Sequence, residues 1–254
     1  MQDKVVVITG ASAGIGAALA ERLGADETSL VLVARREDVL RDVASRSGAQ
    51  VLTVVADVTV RDDVRRVVKA AIARFGRIDV WINNAGQGIT RQPSELTDDD
   101  VDQMVRVNVK SVLYGMQEVL PHFKERGTGH VINISSELGR VPYAVHRSAY
   151  SGAKHFMNAL TANFRDEVQQ THPGIQFSIV SPGIVKTEFG VRARHGGPDS
   201  RQFAQAQRAE EVAAIIAEVI ASRRRDAYTR PDAHKRVVDY YAGLLDGSDP
   251  DARQ

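Results

Sequence analysis

Short runs of apolar, β-favouring residues alternate with longer amphipathic stretches along almost the whole chain. The runs lie at residues 5–8, 30–33, 51–55, 80–82, 130–134 and 176–180. Strands that are apolar on both sides need cover on both faces, and helices that connect parallel strands supply it. The pattern therefore predicts an α/β fold, a doubly wound parallel sheet of about seven strands with helices on both faces.

The stretches between these runs predict helices, and the chain length fits one domain. The predicted helices lie near residues 14–24, 37–46, 60–75, 98–126, 149–171, 208–222 and 232–245. A chain of 254 residues is within the usual range of a single α/β domain. We expect one domain over residues 1–247, with a substrate loop at the glycine-containing, irregular segment 190–206 and a frayed polar tail at 248–254.

A glycine-rich turn follows the first predicted strand and opens the first predicted helix. Glycine permits a tight turn and lets backbone N–H groups approach a pyrophosphate, while the helix N-terminus adds partial positive charge. Because the turn joins the first strand and helix of a doubly wound pattern, it predicts a dinucleotide-binding loop. The predicted contacts are Gly10, Ser12, Ala13, Gly14, Ile15 and Gly16. A structural turn without a ligand is the alternative.

Tyr150 and Lys154 are four residues apart in a predicted helix, so their side chains meet on one face. A free tyrosine has a pKa of about 10 and is a poor acid or base at neutral pH. A fixed positive charge nearby favours the phenolate and lowers that pKa. Since Tyr-x-x-x-Lys pairs also arise by chance, the weight of this pair comes from the glycine-rich turn and from the Ser135-Ser136 pair upstream.

Four motifs in this order resemble the short-chain dehydrogenase/reductase family. They are the spacing Gly-x-x-x-Gly-x-Gly after Thr9, the tetrapeptide Asn83-Asn84-Ala85-Gly86, Ser136, and Tyr150-x-x-x-Lys154. The resemblance extends from Val5 to about Pro231 and is to the branch with single-domain subunits of this length. It implies a Rossmann-type fold and hydride transfer between a nicotinamide cofactor and a carbonyl/alcohol pair.

The resemblance also implies a role for each of four catalytic residues. Tyr150 gives a proton to the substrate carbonyl during reduction, or removes the hydroxyl proton during oxidation. Lys154 lowers the pKa of that tyrosine and binds the nicotinamide ribose, and both residues therefore also contact the cofactor. Ser136 positions the carbonyl oxygen, and Asn108 holds a water beside the lysine as part of a proton relay.

Two neighbouring serines compete for the serine role. The family has a glycine three residues after its catalytic serine, and Gly139 therefore selects Ser136. The interval from Ser136 to Tyr150 is fourteen residues, one more than the family leads us to expect, so the loop at 140–147 is expected to bulge. Ser135 is the alternative if this bulge shifts the register.

Two arginines, Arg35 and Arg36, follow the second predicted strand, where an acidic residue would bind the ribose 2′-hydroxyl and repel a 2′-phosphate. Guanidinium groups can instead bind that phosphate, and Ser12 can add a hydroxyl donor. NADP is therefore predicted over NAD. The alternative is that both arginines face solvent at the start of a helix, where Glu37 follows them.

The resemblance assigns further cofactor contacts by position. They are Asp57 and Val58 at the adenine ring, Asn84, Ala85 and Gly86 on the adenosine side, and Pro182, Gly183, Val185 and Thr187 beside the nicotinamide. The Asn83-Asn84 pair has an equal alternative, in which both side chains bond the neighbouring backbone and serve structure alone.

The substrate pocket is expected between residues 189–203 and the 140–147 loop. The predicted substrate contacts are Ser136, Tyr143, His146 and Phe189. His146 and His195 have no acidic or cysteine partner at ligand spacing, so no metal site is predicted and both are expected to be exposed loop histidines.

Charge and composition exclude several classes of partner. The net charge is +1 with both signs interspersed, which does not favour nucleic acid or an anionic membrane. The sequence has no apolar run long enough to cross a bilayer, no signal-peptide pattern and no cysteine. We therefore expect a cytoplasmic protein that acts on a small molecule. By resemblance, the predicted helices 98–126 and 149–171 form the interface of a homodimer or homotetramer.

The sequence thus predicts an NADP(H)-dependent oxidoreductase that interconverts a carbonyl and an alcohol, with Tyr150 as general acid or base. One alternative is a non-catalytic NADP-binding regulator or redox sensor, which would be expected to lack the tyrosine or the lysine. A second is a nucleotide-sugar epimerase or dehydratase, which would be expected to have a tighter glycine spacing and a larger C-terminal substrate domain.

Overall fold

A parallel sheet of seven strands forms the centre of the computed structural model, which describes residues 3–48 and 50–246. The strands are β1 (Val5–Thr9), β2 (Ser29–Ala34), β3 (Val51–Val55), β4 (Val80–Asn83), β5 (Gly129–Ile134), β6 (Ile175–Ser181) and β7 (Asp226–Tyr228). Their order in the sheet is β3-β2-β1-β4-β5-β6-β7, and every neighbouring pair is parallel. The chain winds outward from β1 in one direction and then from β4 in the other. This confirms the predicted doubly wound α/β fold.

Both faces of the sheet are buried, which explains why the strands read as continuous apolar runs. In β1, Val6 and Ile8 pack into the core on one face, and Val5 and Val7 pack into the core on the other. Side chains alternate between the two faces of a strand, so only an apolar residue at every position satisfies both cores.

Eight helices connect the strands in the described residues. They are α1 (Gly14–Gly24), α2 (Glu37–Arg46), α3 (Arg61–Phe75), α4 (Asp98–Val105), α5 (Ser111–Arg126), α6 (Ser148–Gln169), α7 (Ala209–Ser222) and α8 (Ala233–Asp246). Helices α1, α2 and α7 contribute to one core, and α3, α5 and α6 to the other. Within the described part of the chain, none of these helices has the length and apolarity that a membrane span requires. The tail predicted at 248–254 lies outside the described residues.

The helix predicted over residues 98–126 is continuous, but it contains a π-helical turn that the sequence does not predict. Helix α4 ends at Val105, a π-helical turn covers Arg106–Lys110, and α5 begins at Ser111. A π turn holds one more residue than an α turn, and such turns occur frequently at functional sites. Its backbone angles remain close to helical, so the apolar period of the sequence does not show it. The turn contains Asn108, whose side chain is considered below.

The six apolar runs in the sequence do not include strand β7, although about seven strands were expected. It has only three residues and begins with the exposed Asp226. It pairs with β6 at the edge of the sheet. A strand this short contains too few residues to show alternation.

Candidate active site

The predicted site residues converge because parallel strands end at a common edge. The glycine turn follows β1, residues 84–86 follow β4, the serine pair follows β5, and Pro182-Gly183 follows β6. In open α/β sheets ligands bind at this carboxyl edge, where the strand order reverses. Here the reversal lies between β1 and β4. The edge therefore carries both the predicted cofactor loop and the predicted catalytic group.

Close backbone approach explains the first two glycines of the loop. Gly10 has φ +66°, and a Cβ there would lie 2.8 Å from the Cα of Ala85. Gly14 has φ +56°, and a Cβ there would lie 3.0 Å from Cγ2 of Thr187. A side chain at either position would be strained by the positive φ and would collide with the opposite wall of the crevice. The loop after β1 and the segment after β6 thus face each other.

Asn84 fastens this loop to β4. Its amide nitrogen donates to the carbonyl oxygens of Thr9 (2.9 Å) and Gly10 (3.2 Å). The backbone N–H groups of Asn84 and Ala85 donate to Oγ1 of Thr9, at 3.0 and 3.1 Å. The neighbouring Asn83 is buried and bonds Trp81 and Asn133. Both asparagines therefore have the structural role, and cofactor contact by the 84–86 segment stays a prediction.

The residues present fit the phosphates of a dinucleotide. Helix α1 starts after Ala13 with no side-chain cap and no acidic residue in its first turn. The first N–H groups of a helix lack partners within the helix, so this end is a ready anion site. Beside it, Nη2 of Arg36 donates to Oγ of Ser12 at 3.3 Å, whereas Arg35 is exposed. The structure therefore directs Arg36, rather than Arg35, toward the glycine loop.

Asp57 lies at the far end of this crevice, after β3. Its Oδ1 accepts hydrogen bonds from the backbone N–H of Thr59 (2.9 Å) and from the Thr59 hydroxyl (2.8 Å). Its own N–H donates to Asp63. These bonds fix the 57–59 turn, and the adenine contacts expected of Asp57 and Val58 stay predictions.

Tyr150, Lys154 and Ser136 lie together in the middle of the edge. Tyr150 is in the first turn of α6 and is 7% exposed, and Ser136 lies close enough to its hydroxyl to lower the pKa of the tyrosine. Nζ of Lys154 lies 5.7 Å from the centre of the tyrosine ring and donates to the carbonyl oxygen of Ile134 at 2.8 Å. Oγ of Ser135 instead faces Gly139 and has no hydrogen-bond partner among the described residues. Of the two serines, the structure brings Ser136 to the tyrosine.

Burial dominates the electrostatics of this pair. It raises the pKa of Tyr150 to about 12, although Ser136 and the charge of Arg147 act in the opposite direction. Burial also lowers the pKa of Lys154 to about 8. Lys154 is not among the groups that shift the tyrosine pKa here, and its ammonium donates to a backbone carbonyl. Tyr150 is therefore a protonated phenol at neutral pH. The expectation that Lys154 lowers the tyrosine pKa stays a prediction.

Asn108 supports the floor of the site. Its amide nitrogen donates to the carbonyl oxygen of Gln87 at 2.9 Å, and its Oδ1 accepts from the Gln87 N–H at 3.2 Å. A Cβ at Gly86 would lie 3.0 Å from this Oδ1 and 3.7 Å from Nζ of Lys154. The π turn thus brings Asn108 close to Lys154 across a glycine, and the proton relay stays a prediction.

Two of the other predicted substrate residues do not turn a free polar group toward Tyr150. The hydroxyl of Tyr143 donates to Oε2 of the buried Glu137 at 3.0 Å, and Arg236 donates to the same oxygen at 3.0 Å. The side chain of His146 is exposed. Phe189 does reach the tyrosine: the two rings meet edge to face with centroids 5.6 Å apart. The residues Glu137 and Arg236 were not predicted, because they are 99 positions apart in sequence.

The 190–206 segment is attached to the start of α4 through Asp100. The backbone of Arg194 pairs with Gly88 (2.9 Å) and Thr90 (3.0 Å), and its side chain forms an ion pair with Asp100. His195 is exposed, as expected of a loop histidine, and it also bonds the same carboxylate at 2.8 Å. Burial opposes ionisation of Asp100, but hydrogen bonds from His195, Thr97 and Arg194 hold its pKa well below its usual range. Within residues 3–48 and 50–246, no three His, Asp or Glu side chains are arranged to hold a metal.

The sequence is similar to those of known proteins. A family model described as short chain dehydrogenase matches residues 4–196. An uncharacterized oxidoreductase of Staphylococcus saprophyticus is 40% identical over 190 residues, which cover 74% of this chain and 77% of the relative. Another, of Staphylococcus aureus, is 34% identical over 215 residues, which cover 84% of this chain and 90% of the relative.

Solved structures agree with the fold along most of the chain. A short chain dehydrogenase/reductase from Burkholderia phymatum in complex with NAD has a TM-score of 0.87 and 26% identity, covering 97% of this chain and 96% of that one. An alcohol dehydrogenase from Thermococcus sibiricus complexed with 5-hydroxy-NADP has a TM-score of 0.76 and 29% identity, with 89% and 94% covered. A serine dehydrogenase complexed with NADP+ has a TM-score of 0.81 and 27% identity, with 88% and 93% covered. The chain therefore belongs to the short chain dehydrogenase family and is an oxidoreductase of that family.

Proposed function

We propose that this protein is an NADP(H)-dependent oxidoreductase that interconverts a carbonyl and an alcohol, with Tyr150 as the general acid or base. The observation that carries the proposal is the buried Tyr150 beside Ser136 at the carboxyl edge of the sheet, where the serine lowers the pKa of the tyrosine. A carbonyl oxygen placed between the two side chains would accept from both hydroxyls. Two donors on one oxygen polarise the carbonyl and fix its position.

Tyr150 carries its proton at neutral pH, because burial raises its pKa to about 12. A protonated phenol is the form that reduction of a carbonyl requires. When bound, the nicotinamide cofactor supplies the hydride for reduction or accepts it for oxidation. The substrate carbon gains the hydride and the substrate oxygen gains the tyrosine proton, which balances the reaction. Lys154 lies beneath the ring, where its charge can assist return of a proton to Tyr150.

The preference for NADP is supported by the side chains after β2. Arg36 extends to Ser12 of the glycine loop, so a guanidinium and a hydroxyl lie together where a 2′-phosphate is expected. Glu37 is the neighbouring acid, and it is exposed and paired with Arg41 along α2 at 2.5 Å. It is therefore not directed at the loop. The similar structures include complexes with NAD and with NADP, so structural similarity alone does not distinguish between the two cofactors.

An oligomer is part of the proposal. Phe156 on α6 is 58% exposed and Val101 on α4 is 45% exposed. Both line an apolar cavity of about 420 Å³ between the two helices. An exposed apolar face of this kind favours association with a second copy. We expect a homodimer or homotetramer by light scattering, and Phe156→Asp to shift it toward monomer.

The test of function combines binding with turnover. Purified protein is titrated with NADPH and NADH by cofactor fluorescence, and NADPH oxidation is then followed with a panel of ketones, aldehydes and diketones. We expect tighter binding of NADPH and steady turnover of at least one carbonyl. Tight NADPH binding without turnover across the panel would contradict catalysis and favour the regulatory alternative. Failure to bind either cofactor would contradict both.

A further inference from the structure

An unpaired guanidinium lies next to the proposed catalytic group. Arg147 is three residues before Tyr150, and its charge acts on the tyrosine hydroxyl. Its Nη1 is enclosed and has no hydrogen-bond partner among the described residues. Most charged groups at such depth are paired, because an unpaired charge loses hydration without compensation. Arg147 is therefore a costly residue that neither the fold nor the proposed reaction explains.

The contacts of Arg147 place it on the substrate side of the crevice. A Cβ at Gly88 would lie 2.6 Å from its Nη1 and 2.9 Å from Cε1 of Phe189, the residue whose ring meets Tyr150. A Cβ at Gly197 would lie 3.1 Å from Nη2 of Arg147. The guanidinium therefore lies between the segment after β4 and the 190–206 segment. The glycine loop and Arg36 are separate from this point, and they are the predicted partners of the dinucleotide phosphates.

A second polar group without a partner faces the same point. Oγ1 of Thr90 is buried and has no hydrogen-bond partner among the described residues, and it would lie 2.7 Å from a Cβ at Gly197. The carboxylates of the nearby Asp99 and Asp100 already form ion pairs with other residues. Asp100 pairs with Arg91, Arg194 and His195, and Asp99 pairs with Arg194. A cation and a hydroxyl thus converge beside the carbonyl oxygen of Gly190, at a point where the described residues supply no free carboxylate.

We propose that Arg147 and Thr90 bind a carboxylate of the substrate, so that the protein acts on oxo acids and the corresponding hydroxy acids. This rests on the proposed function. A planar guanidinium matches a carboxylate with two parallel N–H bonds, and Thr90 adds a third donor. Phe189 touches Tyr150 and also borders Arg147, so a molecule of a few carbons spans from the carboxylate to the reacting carbonyl. Arg147 as a residue is half-buried, so the side chain is not sealed from solvent, although its Nη1 is enclosed.

The test compares acids with neutral analogues of the same shape. Pyruvate, 3-oxobutanoate and 4-oxopentanoate are each assayed with NADPH beside their methyl esters, and dihydroxyacetone beside its phosphate. At least one acid is expected to exceed its ester in kcat/KM by about tenfold or more. Arg147→Met should abolish that advantage by raising KM for the acid but not for the ester, while any change in kcat that follows from its charge near Tyr150 should be the same for both. Arg147→Lys should retain part of it, and the exposed Arg208→Met should behave like wild type.

Each other outcome overturns the proposal in a distinguishable way. Equal turnover of acid and ester by wild type would leave the proposed function intact and remove the carboxylate site. Equal losses on acid and ester in Arg147→Met would show that Arg147 acts only through the charge it places near Tyr150. Preference for the phosphate over every acid would identify a phosphate site. If no carbonyl is reduced, the proposed function fails. Calorimetry with 3-hydroxybutanoate then tests the carboxylate site by itself. Binding that is equal in wild type and Arg147→Met, or absent from both, would overturn that site.

Discussion

The two ends of the crevice are held by different interactions. The cofactor end, residues 9–16 and 84–86, depends on backbone conformation: positive φ at Gly10 and Gly14, and side chains that bond main-chain groups. The substrate end, residues 140–150 and 187–203, depends on charged and polar side chains from distant segments, such as Asp100 with Arg194. The first end is specified by glycine and short-range spacing. The second is specified by pairing, and it leaves Arg147 unpaired.

Replacing Tyr150 with Phe should have the largest effect of any change at the substrate end. It removes the proposed proton donor and should lower turnover by about 10²–10⁴-fold, the usual contribution of general acid catalysis. NADPH affinity should be nearly unchanged, because the glycine loop is untouched. Stopped-flow turnover and fluorescence titration measure the two quantities. Tyr241→Phe, at an exposed tyrosine, is the matched control, and retained activity in Tyr150→Phe would remove the tyrosine from the mechanism.

At the cofactor end, charge reversal after β2 should change cofactor choice. Arg36→Asp should lower the ratio of kcat/KM for NADPH over NADH by about 10–100-fold, since one or two charge-assisted bonds are lost. Arg35→Asp should have a smaller effect, because Arg35 is exposed and Arg36 is bonded to Ser12. Steady-state kinetics with both cofactors measure the ratio. An unchanged ratio in both variants would show that the arginines only face solvent.

The glycine requirement at the cofactor end can be separated from simple strain. At Gly10, where φ is +66°, the Cβ of an alanine would lie 2.8 Å from the Cα of Ala85. At Gly127, where φ is +69°, the Cβ of an alanine would have open space around it. Strain alone should lower the free energy of unfolding by roughly 1–2 kcal/mol in both. Only Gly10→Ala should also weaken NADPH binding. Urea unfolding measures the strain in both variants, and fluorescence titration measures their NADPH affinities. Equal NADPH affinities would contradict a special requirement for glycine at position 10.

The smallest expected effect is a pH dependence of stability due to Lys154. Its pKa is lowered to about 8 in the folded protein, against about 10.4 in an unfolded chain. Between these values the unfolded chain holds more protons, so stability rises with pH there and is flat below. Relative to Lys154→Met, wild type should gain about 1 kcal/mol in unfolding free energy between pH 8 and pH 9. Urea unfolding at both pH values measures this gain. The same change in unfolding free energy in both proteins would exclude a lowered pKa for a buried Lys154.

The sequence predicted local features better than long-range pairs for a physical reason. Strand periodicity, the glycine spacing and Tyr150-x-x-x-Lys154 are local patterns, and local geometry follows from them. Six of the helices lie within two residues of their predicted bounds for the same reason. The π turn at Asn108 was missed because one extra residue in a helical turn leaves no mark on the apolar period.

The substrate end could not be predicted from local pattern. The pairing of Asp100 with His195 joins positions 95 residues apart, and that of Glu137 with Arg236 joins positions 99 apart. Arginines are common along this chain, and the sequence does not show that Arg147 lacks a carboxylate partner. Arg147 is recognisable only once the other charges have been matched in space.

The most direct test of the account follows the hydrogen itself. The protein is incubated with a carbonyl that it reduces and with NADPH deuterated at C4 on one ring face or the other, and the alcohol is analysed by mass spectrometry and NMR. We expect deuterium on the carbon that carries the new hydroxyl, from one of the two labelled cofactors only. An alcohol without deuterium from either cofactor, or label recovered in water, would contradict direct hydride transfer at this site.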